Sequence, residues 1–114
     1  MDDSTRRRLT KNEVIFRAVN EDAQDFIRHT KGDKAQLDFY CECSHRSCTQ
    51  RITLSTEQYA NLHGNKRQFI AIDGHELPEI EKIVSKEDGY NVIEKYSNPP
   101  GSGEIKSVLR RMSA

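Results

Sequence analysis

The stretch Phe39-Tyr40-Cys41-Glu42-Cys43-Ser44-His45-Arg46-Ser47-Cys48 decides how the rest of the chain is read. Leu37, Phe39 and Cys41 alternate with Asp38, Tyr40 and Glu42, the period-two pattern of a strand with one buried face. Side chains two residues apart on such a strand point the same way, about 7 Å apart, so a modest bend brings the sulfurs of Cys41 and Cys43 to one point. The loop of residues 44–47 returns Cys48 towards them, and Gln50-Arg51-Ile52-Thr53-Leu54 reads as a second strand, antiparallel to the first. The cysteines therefore fall at the tip of a hairpin.

Three thiols in a C-x-C-x4-C spacing suit a tetrahedral soft cation, and zinc is the expected one. An odd number of cysteines leaves one unpaired in any disulfide scheme, and in a reducing compartment clustered thiols bind metal more readily than they cross-link. A tetrahedral site needs a fourth ligand, and four histidines are available: His29, His45, His63 and His75. His75 is favoured because it follows the tight Asp73-Gly74 turn at the end of a strand. His45 is the rival, although inside the loop it would have to fold back over a short ring. His29 and His63 each close a helix. The expected metal ligands are thus Cys41, Cys43, Cys48 and His75. Two other readings stand beside this one: ordinary buried thiols, and a C-x-C dithiol that cycles with its disulfide as a redox or zinc sensor. Iron–sulfur chemistry lacks a fourth cysteine.

The C-x-C-x4-C spacing resembles the zinc-binding post-SET segment of histone lysine methyltransferases, over about these eight residues alone. That resemblance implies a metal and nothing about methyl transfer. Over residues 11–96 the chain also resembles a group of small actinobacterial-type proteins that combine a leading helix, an F-x-C-E-C-x4-C block, an E-x-Y helix and a G-H turn. Here those elements are Phe39 to Cys48, Glu57 to Tyr59 and Gly74-His75. The likeness implies a zinc-binding helix-plus-sheet domain and carries no activity with it.

Working outward, residues 11–29 place Val14, Ile15, Ala18, Val19, Ala23, Phe26 and Ile27 at helical spacing, with Thr10 or Asn12 as cap and Gly32 as stop. Ser55-Thr56-Glu57-Gln58 fits a capping box that opens a short helix through Tyr59 and Leu62, with Gly64 as its terminator. Residues 68–72 form a strand, and residues 80–85 and 90–96 form two more, joined by the hairpin signal Asp88-Gly89. The expected class is α+β: an N-terminal amphipathic helix, one small antiparallel sheet of about five strands, and one short inserted helix. Residues 1–10 read as a basic disordered tail, residues 11–96 as a zinc-stabilised domain, and residues 97–114 as a flexible tail. Within that last segment Ile105, Val108, Leu109 and Met112 keep helical spacing, so a short helix could form there on a partner.

Hydrophobic residues make up 34% of the chain and charged residues 32%, towards the polar end for a globular domain, so a cross-link would help so small a core. No run approaches the roughly 18–20 apolar residues that span a bilayer, and the amino terminus lacks the apolar core of a secretory signal, so a cytoplasmic protein is expected. Net charge is zero, yet residues 9–96 carry 12 Lys or Arg against 15 Asp or Glu, and the ends are basic. Phosphate loops, H-E-x-x-H and G-x-S-x-G are all absent, so no enzyme is expected. Glu76, Glu79 and Glu81 read as a solvated strand face rather than acid/base groups. The expected role is a regulatory or adaptor module that binds another protein. The alternative is nucleic-acid binding through Arg6, Arg7, Arg8, Arg110 and Arg111.

Overall fold

The computed structural model describes residues 2–45, 47–62 and 64–96. Residues 97–114, read above as a flexible tail, lie outside the described residues, as does His63.

Helix α1 spans Asp3–Lys31 and so begins eight residues before the expected start. Residues 3–10 are therefore helical rather than part of the disordered tail that composition implied. Asp2 takes the N-cap position and its carboxylate accepts the Thr5 amide at 2.7 Å. Arginine is a good helix former, so Arg6, Arg7 and Arg8 propagate the helix once it is capped. At the far end Arg28, His29 and Lys31 occupy the last turn, where positive charge suits the helix dipole. The Gly32 amide closes on the Arg28 carbonyl.

Five strands and one further helix follow: β1 (Gln36–Tyr40), β2 (Arg51–Ser55), α2 (Thr56–Leu62), β3 (Gln68–Ala71), β4 (Glu81–Glu87) and β5 (Tyr90–Lys95). The α+β class is as read from the sequence, but the strands divide between two antiparallel sheets. One is the β1–β2 hairpin, with Phe39 opposite Ile52; the other has the order β3-β5-β4. The capping box forms as expected, with the Gln58 amide donating to Ser55 Oγ at 3.0 Å and the Ser55 amide to Gln58 Oε1 at 2.9 Å. Asp88-Gly89 makes the two-residue turn between β4 and β5. Gly89 sits at φ +87°, a conformation that a Cβ opposes, while Asp88 before it has no positive φ, so the turn is not the type I′ form.

The expected apolar face of α1 is only half right. Val14 and Ala18 are buried, but Val19 is 36% and Phe26 67% exposed. Polar residues take the places that the apolar ones leave, since Glu13, Arg17, Asn20 and Gln24 are all buried. Each finds a partner across the fold. Asn20 Nδ2 donates to the Tyr40 carbonyl and its Oδ1 accepts the Tyr40 amide, both bonds replacing strand partners at the end of β1. Arg17 donates to the Lys66 carbonyl and to Glu21, and lies over the Phe69 ring. The apolar core fills the space between, with Phe39 stacked on Tyr59 at 4.2 Å and Ile52, Leu54, Phe69, Ile70 and Ile93 around them.

A second correction concerns Glu81. Glu79 is exposed as expected, but Glu81 is 1% exposed and meets the buried Lys95 ammonium at 2.7 Å. Glu13 of α1 completes the cluster from the other side of Lys95. Ammonium and carboxylate must be paired to be buried at all, so β4 has to start here rather than pass as a solvated face.

Candidate metal centre

The β1 strand runs on past Tyr40, because the Cys41 amide still donates to the Gln50 carbonyl of the neighbouring strand at 3.0 Å. Cys41 and Cys43 therefore share a face and are both buried. The loop turns through a Cys48 N–H bond to the His45 carbonyl at 3.1 Å, which brings the half-buried Cys48 back to the same point.

His75 arrives from the connection after β3. The turn at Asp73-Gly74, with Gly74 at φ +90°, closes through the His75 amide on the Ile72 carbonyl at 3.0 Å. Asn91 of β5 holds Asp73 by a 2.8 Å bond, so the turn is anchored to the three-stranded sheet. The Ile72 amide donates to Cys41 Sγ at 3.2 Å, a bond that stabilises negative charge on that sulfur.

The three sulfurs and one imidazole nitrogen all lie within 4.8 Å of one another, so Cys41, Cys43, Cys48 and His75 are positioned to hold a metal ion. His75 Nδ1 stands 3.5 Å from Cys41 Sγ and 3.6 Å from Cys48 Sγ. A tetrahedral ion with sulfur at about 2.3 Å and nitrogen at about 2.0–2.1 Å sets its sulfur–nitrogen edges at about 3.5–3.6 Å. The donor set fits such an ion in type, and these two edges match it in length. His45 is exposed, with its ring centroid 6.2 Å from that of His75, and it is not part of the cluster. His29 ends α1 with Nδ1 on the Asp25 carbonyl.

Electrostatics favour a cation at the same point. The hydrogen bond from Cys41 draws Cys43 down to about 5, and giving that bond, together with burial, pushes Cys41 upwards. Burial raises Cys48 as well. Left to themselves, the sulfurs settle on one thiolate held by two thiols, because neighbouring negative charges cannot all be buried together. A divalent ion removes that conflict and lets all three ionise.

Sequence reasoning missed what lies behind the site. Glu42 was expected on the solvated side of the strand, yet it is fully buried. Strand alternation does point it away from the sulfurs, but α1 and α2 cover that side. Its carboxylate accepts from Asn20 Nδ2 at 2.9 Å, from the Ile70 amide at 3.0 Å and from the Tyr59 hydroxyl. The Glu42 amide in turn donates to the Ile70 carbonyl at 2.8 Å, so this one residue joins the cysteine hairpin to β3. The readable signal was the C-x-C pair itself, which forces the residue between its cysteines to the opposite face.

No protein-family model, curated protein or solved structure matches this chain. Among the described residues, no helix is long and apolar enough to cross a membrane.

Proposed function

We propose that this chain is a zinc-binding module in which the ion is structural, held by Cys41, Cys43, Cys48 and His75, and that the module serves a regulatory or adaptor role by binding another protein. The observation that carries the zinc reading is the match of the His75 Nδ1 distances, 3.5 and 3.6 Å, to the edge of a zinc tetrahedron. Three thiolates and one imidazole fill the four positions of zinc and damp its Lewis acidity, which is the composition of sites that hold a fold together. Bound there, the ion supplies a cross-link between the hairpin and the β3–β4 connection, in a chain whose apolar core is small.

The protein-binding reading is supported by apolar surface away from the metal. Val84, beside the irregular register at Ile83/Ser85 on β4, is 42% exposed, and Tyr96 at the end of β5 is 57% exposed. Strand β4 pairs only with β5 among the described residues, and an unpaired edge is a ready template for an added strand.

Native mass spectrometry of protein purified without added metal, compared with the same sample sprayed from acid, tests the site. The expected result is the loss of one zinc mass on acidification. A metal-free protein two hydrogens lighter than its sequence would instead mean a disulfide within the Cys41, Cys43 and Cys48 cluster, and the structural-zinc reading would fall.

A further inference from the structure

The first turns of α1 do no core packing. None of the described residues before Glu13 is buried, so about 15 Å of helix projects from the body at about 1.5 Å per residue. Arg6, Arg7, Arg8 and Lys11 are all exposed there, and none of them stands in an ion pair with another described side chain. At about 100° per residue, the three consecutive arginines leave the helix in three different directions.

A second cationic stretch lies against the first. Neither residues 4–12 nor residues 43–56 contain an Asp or Glu, although the chain has 18 of them in 114 residues. The fold brings these two acid-free stretches together. Asn20 of α1 binds the Tyr40 carbonyl and Asn12 binds the Ser44 carbonyl, both at 2.9 Å, so the hairpin runs back along α1 and its tip ends beside the base of the projecting turns. His45, Ser47, Thr49 and Arg51 are exposed on that hairpin. Hydroxyl and guanidinium groups of this kind are the ones that contact phosphate oxygens. Net charge over the whole chain is zero, so attraction to a polyanion is confined to this end and fixes the orientation of approach.

Shape selects among polyanions. A single strand or a flat anionic surface meets one side of a helix and leaves at least one of the three arginines in water. The major groove of duplex DNA, about 12 Å wide, admits a helix of about 10–12 Å and sets phosphates along both of its walls. We propose that the projecting turns of α1 enter the major groove of duplex DNA, with Arg6, Arg7, Arg8 and Lys11 on the phosphates of its two walls and Arg51 of the hairpin on the adjoining backbone. The inference goes beyond the protein-binding reading and uses none of the metal ligands.

Fluorescence anisotropy of the full chain with a labelled DNA duplex of mixed sequence tests it. Binding should weaken roughly 500-fold between about 50 and 200 mM salt, the dependence expected for about five phosphate contacts. Each of Arg6→Gln, Arg7→Gln and Arg8→Gln should flatten the plot of log affinity against log salt by about one unit, and Arg51→Gln should do the same. If any one of the three helix variants leaves that slope unchanged, the helix lies on a surface rather than in a groove and the proposal falls. The triple variant Arg6→Glu, Arg7→Glu, Arg8→Glu should abolish binding while keeping helix content by circular dichroism, because glutamate suits the first turns of a helix. No binding by the parent at low salt, or binding by the triple variant equal to that of the parent, overturns the proposal. Tighter binding to single-stranded RNA or to anionic lipid vesicles also overturns it, since the partner would then be a different polyanion.

Discussion

Two polar clusters hold this fold together, and they work in opposite ways. At one end, Cys41, Cys43, Cys48 and His75 gather donors from the hairpin and from the turn after β3, positioned to hold an ion that would come from outside the chain. In the interior, Lys95 of β5 lies between Glu13 of α1 and Glu81 of β4, and both charges come from the chain itself. The first cluster is compact in sequence, with three ligands inside eight residues, whereas the Lys95–Glu13 pair closes a separation of 82 residues. Each does what a larger apolar core would otherwise do: it fixes where separate elements meet. The difference lies in reversibility, since a metal can be taken away without changing the sequence and a lysine cannot.

Breaking the metal cluster should have the largest effect. A site that is absent in the unfolded chain puts its binding free energy into folding, about 10–16 kcal/mol for structural zinc in small peptides at pH 7. Cys41→Ser and Cys43→Ser should lose the ion and melt far below the parent, and a strong chelator should do the same to the parent. Calorimetry showing unchanged melting in either variant would remove the structural role from this site. Next in size is Lys95→Met, which leaves two carboxylates buried without their cation. The expected loss is about 3–5 kcal/mol, with one metal per chain still bound. Denaturant unfolding checks it, and the triple variant Lys95→Met, Glu13→Gln, Glu81→Gln should recover most of that loss because no charge then remains to be solvated. Failure of the triple variant to recover would mean that shape, not charge, holds this part of the core.

The same contrast explains what could be read from the sequence. The metal site was legible because its chemistry is local: C-x-C on a strand fixes two donors, and a glycine turn ahead of His75 aims the fourth. The capping box at Ser55 and the Asp88-Gly89 turn were legible for the same reason, each being closed within four residues. The charged interior was not, because Glu13, Glu81 and Lys95 look like solvated residues until three elements converge on them. Helix α1 shows the same limit from the other side. Its apolar pattern is helical, but the choice of Asn20 and Gln24 over Val19 and Phe26 for the interior depends on hydrogen-bonding needs at Tyr40 and Thr56 that no local pattern expresses. The extent of the helix was missed because three consecutive arginines suggested a tail, while the decisive residue was the single cap at Asp2.

Glu42 links the two regimes, being held between the sulfurs in sequence and satisfied from the interior. Tyr59→Phe removes one donor to its carboxylate while keeping the ring stacked on Phe39. Hydrogen bonds to charged groups contribute about 1.5–3 kcal/mol, and the loss should fall in that range. It should also leave metal stoichiometry unchanged, because Asn20 and the Ile70 amide still hold the carboxylate in place. A variant that instead loses the ion would show that the back of the hairpin controls its front.

The last expected effect is a slope rather than a drop. Two carboxylates share one ammonium at Lys95, so the buried cluster carries one negative charge too many when all three groups ionise. Burial raises Glu81 from 4.5 to about 7 and lowers Lys95 to about 7. Passing a proton between those two leaves their summed charge unchanged, so the surplus carboxylate is what responds to pH. A folded-state pKa above the unfolded value means that the native protein holds a proton which the unfolded chain releases. The stability from Glu81 is therefore fully present below pH 4.5 and is lost as pH rises through about 7. The thiol ligands pull the other way, since metal binding releases protons and strengthens as pH rises. The two contributions separate in a difference measurement on metal-loaded protein. Between pH 4.5 and 7, the stability of Glu81→Gln minus that of the parent should climb by up to about 1.4 kcal/mol per pH unit, the value for one proton. A flat difference would mean that Lys95 and Glu13 absorb the surplus charge without Glu81, and that the cluster is balanced at neutral pH by a neighbour rather than by a proton.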